Sequence, residues 1–139
     1  MKLMILASFF LFSFAVIAQD KDEEVNEAAL VKFEEQEYNF GEALEGETVQ
    51  HVFKFVNEGN ETLLISNVIT SCGCTIVDWK REPVRPGKKG FIVAKFDTTH
   101  RLGQQTKTIT ILSNSSNHVE KVNMMINVRP RQEAQVTTH

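Results

Sequence analysis

Only two cysteines occur in the 139 residues, and one glycine separates them, as Cys72-Gly73-Cys74. No disulfide within the chain can therefore staple distant segments together, and the fold has to be held by its apolar core. Positive charge is not in excess either. Of the 15 basic residues Lys2 falls in the N-terminal leader described below, which leaves 14 against 18 acidic ones. That balance offers no electrostatic footprint for nucleic acid or anionic lipid. Long apolar runs are also missing: the longest, Leu3 to Ile17, falls short of the roughly 20 residues needed to cross a bilayer. The chain has no Gly-x-Ser-x-Gly elbow, no phosphate-binding glycine loop, no metalloprotease helix, no internal repeat and no long helical period.

What is present begins with the leader. Lys2 precedes the apolar run, and Ala18 and Gln19 follow it, the layout of a secretory signal peptide cleaved after Ala18. No cysteine follows the run, so a lipid anchor on a cysteine at the mature terminus is not expected. Residues 1–18 are thus read as the signal and the acidic, apolar-poor 19–30 as a flexible leader. The remainder divides into one domain over 31–129, long enough for a modest core, and a tail over 130–139.

Within the domain the apolar residues recur with a period of two. Val49, His51, Phe53 and Phe55 share one face of their segment. Ile92, Ala94 and Phe96 do the same, as do Ile109 with Ile111, and Val122, Met124, Ile126 and Val128. Such alternation means strands with one buried face. Three further segments, VKFEEQEYNFG, TLLISNVIT and TIVDW, bring the expectation to about seven strands, the size of an immunoglobulin-like β-sandwich. The immunoglobulin pattern of two remote cysteines around a core tryptophan is absent. Phe53, Phe55, Phe96, Ile109 and Ile111 are the expected core. Turns are expected at 57–60, 83–90, 101–103 and 114–117, where Gly, Pro, Asn and Ser cluster.

The Cys72-Gly73-Cys74 element admits three readings. In an extended strand the two Cα atoms would stand about 6.5 to 7 Å apart, at the upper limit for a disulfide, so a bond requires the chain to bend, and Gly73 has the backbone freedom to allow it. Closing a three-residue ring stabilises by only about 1.6 kcal/mol, and a short strained ring is readily reduced, the property of a redox-active pair. Against that, no helix N-terminus lies nearby to lower a thiol pKa. A soft-metal site is the second reading, with Cys72, Cys74 and His51 holding copper or zinc and His100 or His118 as further ligands. His51, on an apolar face, reads equally as a hydrogen-bonded core or edge histidine. The third reading is structural: Ser71 to Thr75 are small and suit a sharp crossing at a sheet corner.

Other features read as structural. Glu82 and Asp97 are lone carboxylates near turns, expected to be solvated. Trp79 reads as core edge, and the glycosylation triplets at Asn60 and Asn114 are of a kind common by chance.

Beyond these patterns, Phe40-Gly41 with Gly46, then HVFKFVNEG (51–59), LLISNVITSCGCT (63–75), PGKKGFIVAKFDTT (86–99) and KTITILSN (107–114) together resemble the family called "domain of unknown function 1573", secreted immunoglobulin-like proteins common in Bacteroidetes. The resemblance covers about Phe33 to Val128. It implies a sandwich fold and an exported location, and it carries over no catalytic residue.

The expectation is therefore an exported, periplasmic or extracellular immunoglobulin-like module without catalysis. It would bind or assemble with a protein at the cell envelope, with no cofactor, no nucleic acid and no membrane insertion after signal cleavage. The alternative is a thiol-redox or soft-metal protein acting through Cys72 and Cys74.

Overall fold

The computed structural model describes residues 27–132. The expected signal peptide, residues 19–26 of the expected leader and the tail from 133 lie outside the described residues. Eight strands and no helix make up the rest: β1 Val31–Phe33, β2 Glu37–Leu44, β3 Thr48–Asn57, β4 Ile65–Thr70, β5 Thr75–Trp79, β6 Lys89–Asp97, β7 Gly103–Ser113 and β8 Val119–Arg129. They form two four-stranded sheets, β1-β3-β6-β5 and β2-β8-β7-β4. The fold is an all-β, immunoglobulin-like sandwich, and no helix among the described residues is long and apolar enough to cross a membrane.

The alternating faces meet between the sheets. Phe53, Phe55 and Phe96 of one sheet and Ile109 and Ile111 of the other are at most 2 % exposed. Around them lie Ile92, Ala94, Val122, Met124, Ile126 and Val128, in a core that also takes in Ala29, Val31, Phe33, Leu63 and Val68. At about 1.5 to 3 kcal/mol for each large apolar side chain, this set is the main source of stability in a sandwich without a disulfide between its sheets.

One expected strand is two. The segment from Val31 to Gly41 splits at Glu34-Glu35-Gln36, where three polar, exposed residues leave nothing to bury, and the chain changes sheets. β1 pairs antiparallel with β3, whereas β2 runs parallel to β8, with Glu37 opposite Asn123. A bulge breaks the β2 register between Asn39 and Glu42. It is made possible by Gly41, whose φ of 75° suits glycine and whose N–H donates to Asn39 Oδ1.

Residues 28–30, placed in the expected leader, are tied to the sandwich. Ala29 is 1 % exposed and bridges Ser115, and Ala28 exchanges hydrogen bonds with Asn60. Gly59 permits this: a Cβ there would stand 2.1 Å from the Ala28 carbonyl oxygen. The anticipated turns fall in the β3–β4, β5–β6, β6–β7 and β7–β8 connections, the second and third running into the starts of β6 and β7.

Candidate functional site

The Cys72-Gly73-Cys74 element is the turn between β4 and β5, so it carries the chain from one sheet to the other. Both of those strands are sheet edges, and the turn therefore caps one open side of the sandwich. It is held from both sides. Ser71 N–H donates to the Thr108 carbonyl at 3.0 Å and its hydroxyl accepts from Thr108 N–H at 3.1 Å. Thr70 Oγ1 donates to the Cys72 carbonyl at 2.9 Å, and Asp97 N–H to the Cys74 carbonyl at 3.0 Å.

Within this turn the sulfurs of Cys72 and Cys74 are joined in a disulfide, with Cα atoms 5.3 Å apart. The bend thus brings the pair inside the usual disulfide range. Gly73 does not achieve it by a left-handed backbone: its φ lies outside that region, and a Cβ there would meet nothing within 4 Å. The backbone freedom expected of Gly73 is therefore not what closes the ring. The Ser71 and Thr70 hydrogen bonds, which fix the entry to the turn, account for the bend better.

Both cysteines are half-buried, but they face different surroundings. Cys74 packs against the core and also lines an open surface depression with Gly73, Ile76, Asp97, Thr99 and Arg101. Cys72 Sγ lies 3.7 Å from Thr75 Oγ1. Thr75 is only 5 % exposed, and the sulfur is the one hydrogen-bond partner of its hydroxyl among the described residues.

Asp97 on the depression is solvent-exposed, as expected, yet not idle. The Thr99 hydroxyl at 2.6 Å and the Thr99 N–H at 2.9 Å both donate to its Oδ1. These bonds, helped by the nearby charges of Arg101 and His100, hold its carboxyl below the ordinary value. Sequence reading passed over Arg101 and took Thr75 only as a small residue of the crossing. No spacing announces Arg101, because the fold brings it to the cysteines from the β6–β7 connection, and the inward turn of the Thr75 side chain is set only by the burial of its face of β5.

His51 is elsewhere. It stacks on Tyr38 with ring centroids 3.6 Å apart, meets Phe53 edge-on, and hydrogen-bonds Glu35 at 2.7 Å through Nε2. It pairs with Ala94 of β6, which in turn pairs with Val77, so it stands two strands and three residues from Cys74. The structure does not bring His51 to the cysteines, and no three metal-ligating side chains converge among the described residues. The triplet asparagines both serve as braces: Asn60 Oδ1 accepts from Ala28 N–H, and Asn114 bonds Leu64 N–H and the Thr62 carbonyl.

Four strands offer an edge, and three of them are guarded. β1 has three residues, β2 is bulged at Gly41, and the β4 register shifts between Ile65 and Asn67. β5 keeps unbroken register against β6 from Thr75 to Trp79, with no proline or lysine in it. Its outward Ile76 is 68 % exposed.

Comparison with known proteins agrees with this architecture. No curated protein matches the chain. Among solved structures, a protein of unknown function from Porphyromonas gingivalis W83 is similar at a TM-score of 0.65 and 14% identity, over 78% of this chain and 51% of that one. The ASH / PapD-like domain of human CEP192 is similar at 0.63 and 9% identity, over 90% of this chain and all of that domain. The secreted serine protease VesC from Vibrio cholerae is similar at 0.57 and 13% identity, over 71% of this chain but only 23% of the protease. The chain thus spans about half of the first of these proteins and under a quarter of the protease, and at such identities the likeness is one of fold. A family model for proteins of unknown function matches residues 31–128, essentially the whole sandwich with its cysteine turn, and by that match the chain belongs to the DUF1573 family.

Proposed function

We propose that this chain is a non-catalytic binding or assembly module, exported to the cell envelope, that takes up an extended segment of a partner protein along the free edge of β5. The observation that carries this reading is the unbroken register of that edge, which has neither a bulge nor a proline. Edge strands normally carry a bulge, a proline, a charge or extreme shortness that prevents pairing. The other three edges here are bulged, irregular or too short to pair extensively, whereas β5 has no bulge and no proline, and its single charge, Asp78, stands on the outward face beside Ile76. A segment added there would gain main-chain hydrogen bonds, with Ile76 and Asp78 of the outward face available to read its side chains. The signal-like N-terminus supports export.

The test is site-specific photo-crosslinking in the native envelope, with the crosslinker at position 78 and, as a control, at position 32 on β1. Adducts to a discrete protein from position 78, abolished by Ile76→Lys in a protein with an unchanged circular dichroism spectrum, are the expected result. Adducts that survive Ile76→Lys, or that form equally from position 32, would sink the reading.

A further inference from the structure

We propose that the Cys72–Cys74 disulfide is a thiol–disulfide exchange site that takes two electrons from an external dithiol, with Cys74 as the attacked sulfur and Cys72 as the leaving thiolate. The inference stands apart from strand addition on β5, since exchange with a small thiol needs no docking there.

Three observations point the same way. First, the bond joins no two elements that are not already held. β4 is laddered to β7 and β5 to β6, so opening the disulfide leaves every strand pairing in place. By linkage, whatever the bond adds to the fold is what the fold adds to the bond. A disulfide closing a three-residue ring gains little of this mutual support and is reduced more easily than one bridging distant strands. Second, access is unequal. Exchange requires the incoming sulfur to approach in line with the bond that breaks, and Cys74 is the member of the pair that lines the depression. Third, Thr75 is placed for the leaving group. Its buried hydroxyl, with no other partner among the described residues, lies 3.7 Å from Cys72 Sγ and can donate to the thiolate that forms there.

The chemistry balances as two displacements. A thiolate of the external dithiol attacks Cys74 Sγ, a mixed disulfide forms, and the Cys72–Cys74 bond breaks with its electron pair left on Cys72, which accepts the Thr75 hydrogen bond and then a proton from solvent. The second thiol of the reductant, deprotonated, attacks the reductant's own sulfur in the mixed disulfide. That step closes the reductant's disulfide and expels Cys74 as a thiolate, which is protonated in turn. The dithiol has lost two electrons and two protons, and the protein holds two thiols.

Glutathione, a monothiol that stalls at the first step, is the probe. The purified protein is exposed briefly to millimolar glutathione, quenched with iodoacetamide and mapped by peptide mass spectrometry. Glutathione on Cys74 with the alkyl group on Cys72 is expected. Thr75→Val should form that adduct about tenfold more slowly, as loss of one hydrogen bond to a thiolate implies, and Thr75→Ser should restore the rate. Dithiothreitol should then give the dithiol form with an unchanged circular dichroism spectrum. A disulfide that resists both reagents while the protein stays folded overturns the proposal, as does glutathione found on Cys72 or shared equally. The adduct map is read on the unsubstituted protein, so the proposal stays testable if Thr75→Val fails to fold.

Discussion

Asn57 Nδ2 donates to the Val84 carbonyl at 2.9 Å, binding the end of β3 to the connection between β5 and β6. The same nitrogen reaches the Glu61 carbonyl, while Oδ1 accepts from the N–H groups of Leu30 and Gly59. Asn57 is fully buried, and all four of these bonds go to backbone, so the side chain stands in for a stretch of secondary structure. Asn57→Ala leaves buried carbonyls and amides unmatched and should cost about 3 kcal/mol or more in chemical denaturation. Asn57→Asp, which turns an acceptor toward two carbonyls, should cost at least as much. A loss under about 1 kcal/mol for both would show that water replaces the bracket.

Two glycines should respond oppositely to alanine. A Cβ at Gly90 would stand 2.3 Å from Cζ of Phe55, a ring 2 % exposed in the packed core. Gly90→Ala must push that ring aside and should destabilise by about 1 to 3 kcal/mol. Gly73→Ala meets open space and should stay within about 0.5 kcal/mol of the parent, with the disulfide still formed. Thermal denaturation with alkylation mapping checks both.

Removing the sulfurs should matter little to the fold. In Cys72→Ser/Cys74→Ser the closure term is about 1.6 kcal/mol at most. At about 4 to 8 °C per kcal/mol for a domain of this size, Tm should drop by no more than roughly 13 °C. A double variant that cannot fold would mean that the bond braces the β4–β5 crossing far beyond its loop entropy.

Acid should open the β6–β7 connection first. The Asp97 carboxyl titrates in the folded state below the ordinary 3.8, chiefly because the Thr99 hydroxyl and then the Thr99 N–H bind its charged form. A depressed carboxyl contributes stability that is present above its unfolded value and is lost as pH falls through the folded one. Protection of the Thr99 amide, its exchange rate relative to an unstructured amide at the same pH, should therefore hold at pH 5 and fall only below 3.8. In Asp97→Ala, which removes the acceptor, the protection should be lost at every pH. An NMR titration of Asp97 centred at or above 3.8 would contradict the assigned bonds.

Much of the sandwich was legible in the sequence because burial on one face writes itself as alternation. Phe53, Ile92, Ile109 and Met124 are each buried together with the residue two places on, Phe55, Ala94, Ile111 and Ile126, as the period of two requires. Legibility failed where distant residues decide. Nothing local in VKFEEQEYNFG says that its two ends join different sheets, since the partners lie on β3 and β8. Ala29 looks like leader until Ser115 and Asn60 are brought to it. At the candidate site the cysteine pair was visible, but the Thr75 hydroxyl, the Cys74-lined depression and the guarded state of three edges come only from the assembled sheets. His51 was readable as a residue of an apolar face, while its stacking on Tyr38 depends on contact between elements and left no trace in spacing.

The parallel pairing of β2 with β8 sets a clock on assembly. Glu37 finds its partner in Asn123, 86 positions later, so the sheet β2-β8-β7-β4 has no second strand for its first-made one until nearly the whole domain has been synthesised. At about 5 to 20 residues per second, that is a wait of roughly 4 to 17 s during which a nascent chain cannot close its sandwich. For those seconds β2 waits unpaired while β1-β3-β6-β5 can already assemble, and the closing strand that ends this interval is among the last parts of the domain to be made.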